Sequence, residues 1–285
     1  MSNLKIAIQK SGRLNKDSLE LLREVGIYID NGKDQLKAKA NNFPLEVLFL
    51  RNSDIPKYID DGVADIAIIG ENILIEKEKN IQLLERLNFA KCQLSIAIPK
   101  GEQFTSLEYL QGKRIASSYP NTLRKFLDNN DIEAEIHEIS GSVEIAPNIN
   151  LSDAICDLVS SGNTLFKNGL KEVIPILKSE ACLVSNPNLS TDKQAILSKL
   201  IFRIQTVLRG KRSRYILLNT PNDKIGEISN ILPVLKSPTI MPLAKEGWSS
   251  LHSVIEEGAF WEKIDALKEA GAEGILIMNI EKLVI

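Results

Sequence analysis

Asp153-Ala-Ile-Cys-Asp157-Leu-Val-Ser160-Ser161-Gly162-Asn163-Thr164-Leu165 reads as a strand that runs into a loop of small, hydroxyl-bearing residues. Residues 156–159 read as a buried strand, and a short helical turn begins at Leu165. A loop of this kind presents backbone N–H groups and the hydroxyls of Ser160, Ser161 and Thr164 to an anion. Two carboxylates, Asp153 and Asp157, stand just upstream. Phosphate takes N–H and hydroxyl donors, whereas sugar hydroxyls take carboxylate acceptors. The segment therefore suits a ribose 5-phosphate group. It equally describes an ordinary strand, a turn and two solvated aspartates.

Working outward, the segment has an echo. Asp65-Ile-Ala-Ile-Ile-Gly70-Glu-Asn parallels Asp157-Leu-Val-Ser-Ser-Gly162-Asn-Thr, each a strand opened by Asp and closed by Gly. Short helical patterns precede them at 55–61 and 151–155. Each half also holds an earlier strand ending in a polar loop, Ile6-Ala-Ile-Gln-Lys10-Ser-Gly12-Arg13 and Arg114-Ile-Ala-Ser-Ser-Tyr119-Pro120. Helical stretches at 15–25 and 122–129 and strands at 45–50 and 133–139 complete the alternation. That order predicts α/β units on mostly parallel sheets, in two lobes with a cleft between them. Ligands of such folds bind beyond the carboxyl ends of the strands, where these polar loops lie. The chain crosses between lobes at 94–98 and 181–184.

An amphipathic helix at 193–208 follows, with Gly210 as its expected stop. Lys211-Arg-Ser-Arg214 reads as an exposed basic hinge. Beyond it, strands at 215–218, 239–243, 251–255 and 274–280 and helices at 222–235 and 260–270 give βαββαβ, the ferredoxin-like order.

Composition narrows the function classes. A net charge of −2 offers no basic surface for nucleic acid. With only His137 and His252, a His-rich metal site is excluded. The three cysteines, Cys92, Cys156 and Cys182, lack CxxC spacing and read as reduced thiols of a cytoplasmic protein. Leu4-Lys-Ile-Ala-Ile8 is too short and too charged for a signal segment, and no apolar run is long enough to span a membrane. Neither a Walker A loop nor GxGxxG is present. Lys10, Arg13 and Arg51 follow strands and suit a polyphosphate. Glu144 in Gly141-Ser-Val-Glu144 reads as a partner of a metal-bound diphosphate or a sugar hydroxyl, or as a helix cap.

These stretches, with Gln9-Lys-Ser-Gly-Arg-Leu14, Gly141-Ser-Val-Glu-Ile-Ala-Pro147 and Ser237-Pro-Thr-Ile-Met-Pro-Leu243, together resemble the ATP phosphoribosyltransferase family in its long form. The resemblance runs in order along the whole chain. It implies a bilobed catalytic core like a periplasmic binding protein, with lobe I at 1–93 and 182–210 and lobe II at 94–181. A ferredoxin-like regulatory domain is implied at 211–285, in a homohexamer that exchanges with dimers. The implied reaction is the first step of histidine biosynthesis. Phosphoribosyl pyrophosphate gives its phosphoribosyl group to N1 of ATP, with Mg²⁺ on the departing diphosphate.

By position, the resemblance sets Asp153 and Asp157 on the ribose hydroxyls. Ser160, Ser161, Gly162, Asn163 and Thr164 hold the 5-phosphate, Ser161 standing where relatives often carry Thr. Lys10, Gly12, Arg13 and Arg51 face ATP or the diphosphate, with Glu71, Tyr119 and Glu144 as further contacts, Tyr119 packing against a base. No residue is assigned as acid or base, because adenine N1 is already a nucleophile. Histidine, as feedback inhibitor, would bind Asn219, Thr239 and Gly274; Asn219 replaces an Asp found in some relatives. Two other readings stay open: a bilobed solute-binding or sensor protein, and a phosphoribosyltransferase for a different base.

Overall fold

Leu4–Gln9 (β1) alternates Ile, Ala and Leu with almost no polar break, the pattern of a strand covered on both faces. The computed structural model describes residues 3–30, 35–160, 162–232 and 237–285. After β1 come Arg13–Glu24 (α1), Lys37–Lys39 (β2), Leu45–Leu50 (β3), Ile55–Asp60 (α2), Ile66–Gly70 (β4), Glu71–Lys77 (α3) and Gln82–Arg86 (β5). Next are Cys92–Pro99 (β6), Arg114–Ser117 (β7), Pro120–Asp128 (α4), Glu135–Glu138 (β8), Ala154–Val159 (β9), Asn163–Lys167 (α5), Leu170–Ser179 (β10) and Ala181–Ser185 (β11). Two sheets result, ordered β2-β3-β1-β4-β11-β5 and β10-β6-β9-β7-β8. The chain leaves the first sheet between β5 and β6 and returns between β10 and β11. This double crossing makes the bilobed, periplasmic-binding-protein-like core.

In the first sheet β1 lies parallel to β3 and β4. In the second, β7 lies parallel to β8 and β9. Each lobe has its own apolar core. Leu94, Ile96, Ile115 and Cys156 pack with Leu123 and Leu127 of α4, and on the other face Ile155 and Val159 pack with Val143 and Leu165. Leu165, buried, pins the short helix that closes the hydroxyl loop.

The chain divides into two compact units, Met1–Leu197 and Ser198–Ile285, the division falling within Thr191–Arg212 (α6). The second unit continues with Ser213–Pro221 (β12), Ile225–Ile231 (α7), Thr239–Pro242 (β13), Trp248–Glu256 (β14), Glu257–Glu269 (α8) and Glu273–Asn279 (β15). Its sheet is antiparallel in the order β13-β14-β12-β15, the ferredoxin-like arrangement. Ile216, Leu218, Leu251 and Ile255 pack against Ile228 and Leu267 of the two helices.

Four sequence expectations change. α6 runs through Gly210 to Arg212, and β12 starts at once, so 211–214 is no hinge. Gly210 serves a close approach instead: a Cβ there would lie 2.8 Å from the Glu281 backbone. Residues 151–155 are not helical, because β9 begins at Ala154. The helix at 222–235 reaches only Ile231 among the described residues, and 233–236 fall outside them.

Candidate functional site

Because β7, β8 and β9 are parallel, their carboxyl ends open onto one edge of the second sheet. The segments 118–119, 140–144 and, among the described residues, 160 and 162–164 meet there. The Ser118 hydroxyl donates to the Ile139 carbonyl and accepts the Gly141 N–H at 3.4 Å, tying two of them together. Gly162 adopts φ 69°, a left-handed turn that favours glycine, and its carbonyl accepts the Phe166 N–H at 2.9 Å. Ser160, Asn163 and Thr164 are exposed around it; Ser161 lies outside the described residues. Asp157 is partly buried in β9, its Oδ1 accepting the Leu158 N–H at 2.7 Å. Burial pushes its carboxyl above the ordinary range, the Leu158 N–H opposes, and the charge of Glu144 adds to the rise. Glu144 thus stands within electrostatic reach of Asp157. Asp157 and Glu144 are therefore the candidate carboxylate pair at the loop.

Asp153 does not belong to that pair. It precedes the first residue of β9, whereas Ser160 follows the last, roughly 20 Å away at ~3.3 Å per residue. Its carboxylate is occupied: Arg114 Nη2 and Nε donate at 2.9 and 3.3 Å, and the Arg114 N–H at 2.9 Å. Asp65 has the same place in the first sheet, ahead of β4, accepting the Lys5 N–H at 2.8 Å and Lys193 Nζ at 2.7 Å. The internal echo therefore aligns Asp65 with Asp153, four residues away from the expected alignment. Both brace the amino ends of central strands. The Arg114 hydrogen bonds hold Asp153 below the ordinary carboxylate range, so its contribution is present at neutral pH and lost as acid protonates it. Asp153→Asn is expected to lower Tm by a few degrees, by less at acid pH, and to leave the KM for phosphoribosyl pyrophosphate within about twofold. A large KM change with unchanged melting would return Asp153 to the site.

On the first sheet, Lys10 and Arg51 follow the parallel neighbours β1 and β3, whose last residues Gln9 and Leu50 pair. The Lys10 N–H donates to the Leu50 carbonyl at 2.7 Å, so the two cations sit side by side at the carboxyl edge. Gly12 takes φ 90° at the start of α1. Arg13 is exposed, 3.6 Å from Asp17, and its charge is felt at the Cys92 thiol. Glu71 is engaged by Arg86 at 2.6 and 3.2 Å, so it is not a free carboxylate. Tyr119 is buried within the apolar core of the second sheet.

Between the sheets lies a cavity of about 850 Å³ lined by Arg86, Lys91, Lys178, Glu172, Ser160 and Gly162, among others. The first four were not legible as site residues. They come from β5, β10 and the crossover, and no local motif marks them. In the second unit, Asn219 and Gly274 meet: a Cβ at Gly274, where φ is 56°, would lie 3.2 Å from Asn219 Nδ2. Thr239 pairs with His252 on the edge of that sheet.

A two-lobed α/β core with a hydroxyl loop beside two carboxylates, joined to a ferredoxin-like unit, suits a glycosyltransferase that handles phosphorylated sugars. The family described as ATP phosphoribosyltransferase matches residues 51–206, and the HisG C-terminal domain matches 210–282. The ATP phosphoribosyltransferase of Cytophaga hutchinsonii is 56% identical over 99% of this chain and 98% of its own. That of Phocaeicola vulgatus is 50% identical over 99% and 100%. An ATP phosphoribosyl transferase (HisG:HisZ) complex from Thermotoga maritima matches in structure with TM-score 0.61 and 29% identity, over 72% of this chain and 98% of that one. The chain belongs to the ATP phosphoribosyltransferase family.

Proposed function

We propose that this chain transfers the phosphoribosyl group of phosphoribosyl pyrophosphate to N1 of ATP, releasing pyrophosphate, as the first step of histidine biosynthesis. The observation that carries the reading is the meeting of the Gly162 loop with Asp157 and Glu144 at one sheet edge, where Ser160 and Gly162 line a cavity that also holds Arg86, Lys91 and Lys178 with Glu71, Glu172 and Glu180. Ser160 to Thr164 take the 5-phosphate. Asp157 and Glu144 accept from the ribose hydroxyls and hold C1 toward the cavity. Lys10, Arg13 and Arg51, with Gly12 allowing close approach, attend the polyphosphates. The N1 lone pair forms the new bond to C1 as the C1–O bond breaks, its electron pair leaving with pyrophosphate. No protein base is required, so the chain's work is alignment and charge neutralisation.

Among the described residues no three His, Cys, Asp or Glu side chains converge into a metal cage. Asp157 and Glu144, within electrostatic reach of each other, would suit Mg²⁺ carried on the diphosphate, because Mg²⁺ typically binds one or two carboxylates plus substrate phosphates. Bound there, it offsets the negative charge of the leaving group. The second unit reads as the regulatory domain, with Asn219, Gly274 and Thr239 lining a histidine site, in a hexamer exchanging with dimers. Among the described residues no helix is long and apolar enough to cross a membrane, and a cytoplasmic location follows from the biosynthetic role.

The test mixes purified protein with ATP, phosphoribosyl pyrophosphate and Mg²⁺, with pyrophosphatase present, and follows the ultraviolet absorbance of the adduct. Adduct formation that histidine suppresses is expected. Folded protein that binds a small ligand but forms no adduct would favour the solute-binding reading.

A further inference from the structure

Strand pairing sets a second polar row beside Asp157. β6 lies antiparallel to β9, with Ser95 opposite Asp157 and Gln93 opposite Val159. Directly opposed residues of an antiparallel pair share a face, so these four side chains stand on one side of the sheet. Gln93 and Val159 line the cavity together with Ser160 and Gly162, so that side is the one the cavity meets. On the other flank of β6 runs β10, whose register shifts between Glu172 and Ile174, and Glu172 lines the cavity as well.

The Glu172 carboxylate reaches across to β6. Its Oε1 accepts from Gln93 Nε2 and from the Ser95 hydroxyl, each at 2.5 Å. Ser95 is fully buried, which anchors the contact from below. A carboxylate has no proton to give. The Ser95 proton therefore goes to Oε1, and the Gln93 amide turns its NH₂ to the same atom. Two acceptors are left over: Glu172 Oε2 and Gln93 Oε1 take no donor among the described residues. The wall beside the hydroxyl loop thus offers acceptors where the loop offers donors.

Phosphate oxygens are themselves acceptors and cannot use this wall. The donors on the two substrates are the hydroxyls of their two riboses and the 6-amino group of adenine. The hydroxyls of phosphoribosyl pyrophosphate are assigned to Asp157 and Glu144, and those of ATP lie across the purine from N1. The amino group is on the carbon next to N1, and N1 must reach C1 of the ribose at Asp157. Opposed residues of an antiparallel pair have Cα atoms about 4.5–5.5 Å apart, so the Ser95–Glu172 contact stands beside the place where N1 must arrive.

We propose that Glu172, held by Ser95 and Gln93, accepts from the 6-amino group of the purine and selects ATP over triphosphates that carry a 6-carbonyl. The inference rests on the assigned reaction, with the ribose at Asp157. Accepting from the amino group also turns the ring so that N1 faces C1. A 6-oxo purine would set its carbonyl oxygen against the carboxylate, and its N1 bears a proton in place of the attacking lone pair.

The experiment compares ATP, purine riboside triphosphate, which lacks the 6-amino group, and inosine triphosphate, which has a 6-carbonyl. Calorimetric affinity of the full chain is measured for each, with KM for phosphoribosyl pyrophosphate alongside. Wild type is expected to bind purine riboside triphosphate about tenfold less tightly than ATP. Glu172→Gln keeps a carbonyl for Gln93 and Ser95 and so turns an NH₂ into the cavity. In that variant ATP should weaken about tenfold, purine riboside triphosphate should stay within about twofold, and inosine triphosphate should tighten. KM for phosphoribosyl pyrophosphate should stay within about twofold. Ser95→Ala loses only the anchor, so ATP should weaken about threefold with the order of the three nucleotides kept. Equal losses for all three nucleotides in E172Q, an unchanged ATP affinity, or a loss confined to phosphoribosyl pyrophosphate would overturn the proposal. Wild-type protein that ranks the nucleotides as expected but forms no adduct would sink the assigned reaction and leave Glu172 as the reader of the amino group.

Discussion

Asp157→Asn is expected to lower kcat/KM for phosphoribosyl pyrophosphate about a hundredfold while leaving Tm at neutral pH unchanged or slightly raised. The catalytic loss follows from hydrogen-bond chemistry. A carboxylate accepting from two hydroxyls gains about 1.5–3 kcal/mol for each charged bond, and each 1.36 kcal/mol is tenfold in rate. The gain in stability follows from the sign of the pKa shift. Burial raises the Asp157 carboxyl, so the folded state binds its proton more tightly than the unfolded chain does. Stability from this group is therefore greatest in acid and is lost as pH rises through the folded pKa. At neutral pH the charged side chain opposes folding, and Asn removes that opposition. The wild-type KM for phosphoribosyl pyrophosphate should rise as pH falls, starting above the pH at which an exposed carboxylate titrates. The Asn variant should flatten that acid limb. A variant that loses stability in step with activity would mark Asp157 as a structural residue and leave the ribose without its acceptor.

The contrast between Asp157 and Asp153 shows what was legible in the sequence. The strand–loop–helix order, the hydroxyls and the glycine are local features, and the structure has them at 154–167. The strand's start was not local. Reading 151–155 as helical brought the two aspartates close together, whereas β9 begins at Ala154 and sets them at opposite ends of one strand. What decides this is the pairing of Ile115 with Ala154, and that depends on a strand about forty residues earlier.

The same reason hides Arg86, Lys178 and Glu172. β5 and β10 carry no strong period-two pattern, and each is a strand because of its neighbour: β10 lies along β6 and β5 along β11. Gly210 was misread in the opposite way. Helix-stop glycine is a local rule, but here close tertiary packing against Glu281 accounts for the residue. The second unit was the most legible part, because six short elements in ferredoxin-like order leave few other ways to close a sheet.

Glu76→Ala is expected to lower the first melting transition by about 8 °C and to reduce transfer activity as well. Glu76 is 2% exposed on α3, and its carboxylate does what the start of α4 cannot do for itself. Tyr119, at the N-cap of α4, offers no side-chain acceptor. Glu76 Oε1 accepts the Asn121 N–H at 3.0 Å. Its Oε2 accepts the Thr122 N–H at 2.9 Å and the Thr122 hydroxyl at 2.7 Å. The Glu76 carbonyl adds a bond from Asn121 Nδ2 at 3.1 Å. A helix capped from another lobe couples the two sheets, and a negative charge at a helix N-terminus is favourable. Removing it leaves two N–H groups and a hydroxyl unsatisfied in a buried seam. That costs about 3 kcal/mol, or 2–4 °C of Tm per kcal/mol for a chain of this size. Glu76→Gln keeps one acceptor oxygen and loses the charge, so about half the destabilisation is expected. Because α4 begins one residue after Tyr119, the loosened helix should also weaken phosphoribosyl pyrophosphate binding more than ATP binding. Calorimetric melting of both variants decides the point: an Ala variant that melts within about 2 °C of wild type would mean that water or another donor set satisfies the start of α4, and that the lobes are not joined through Glu76.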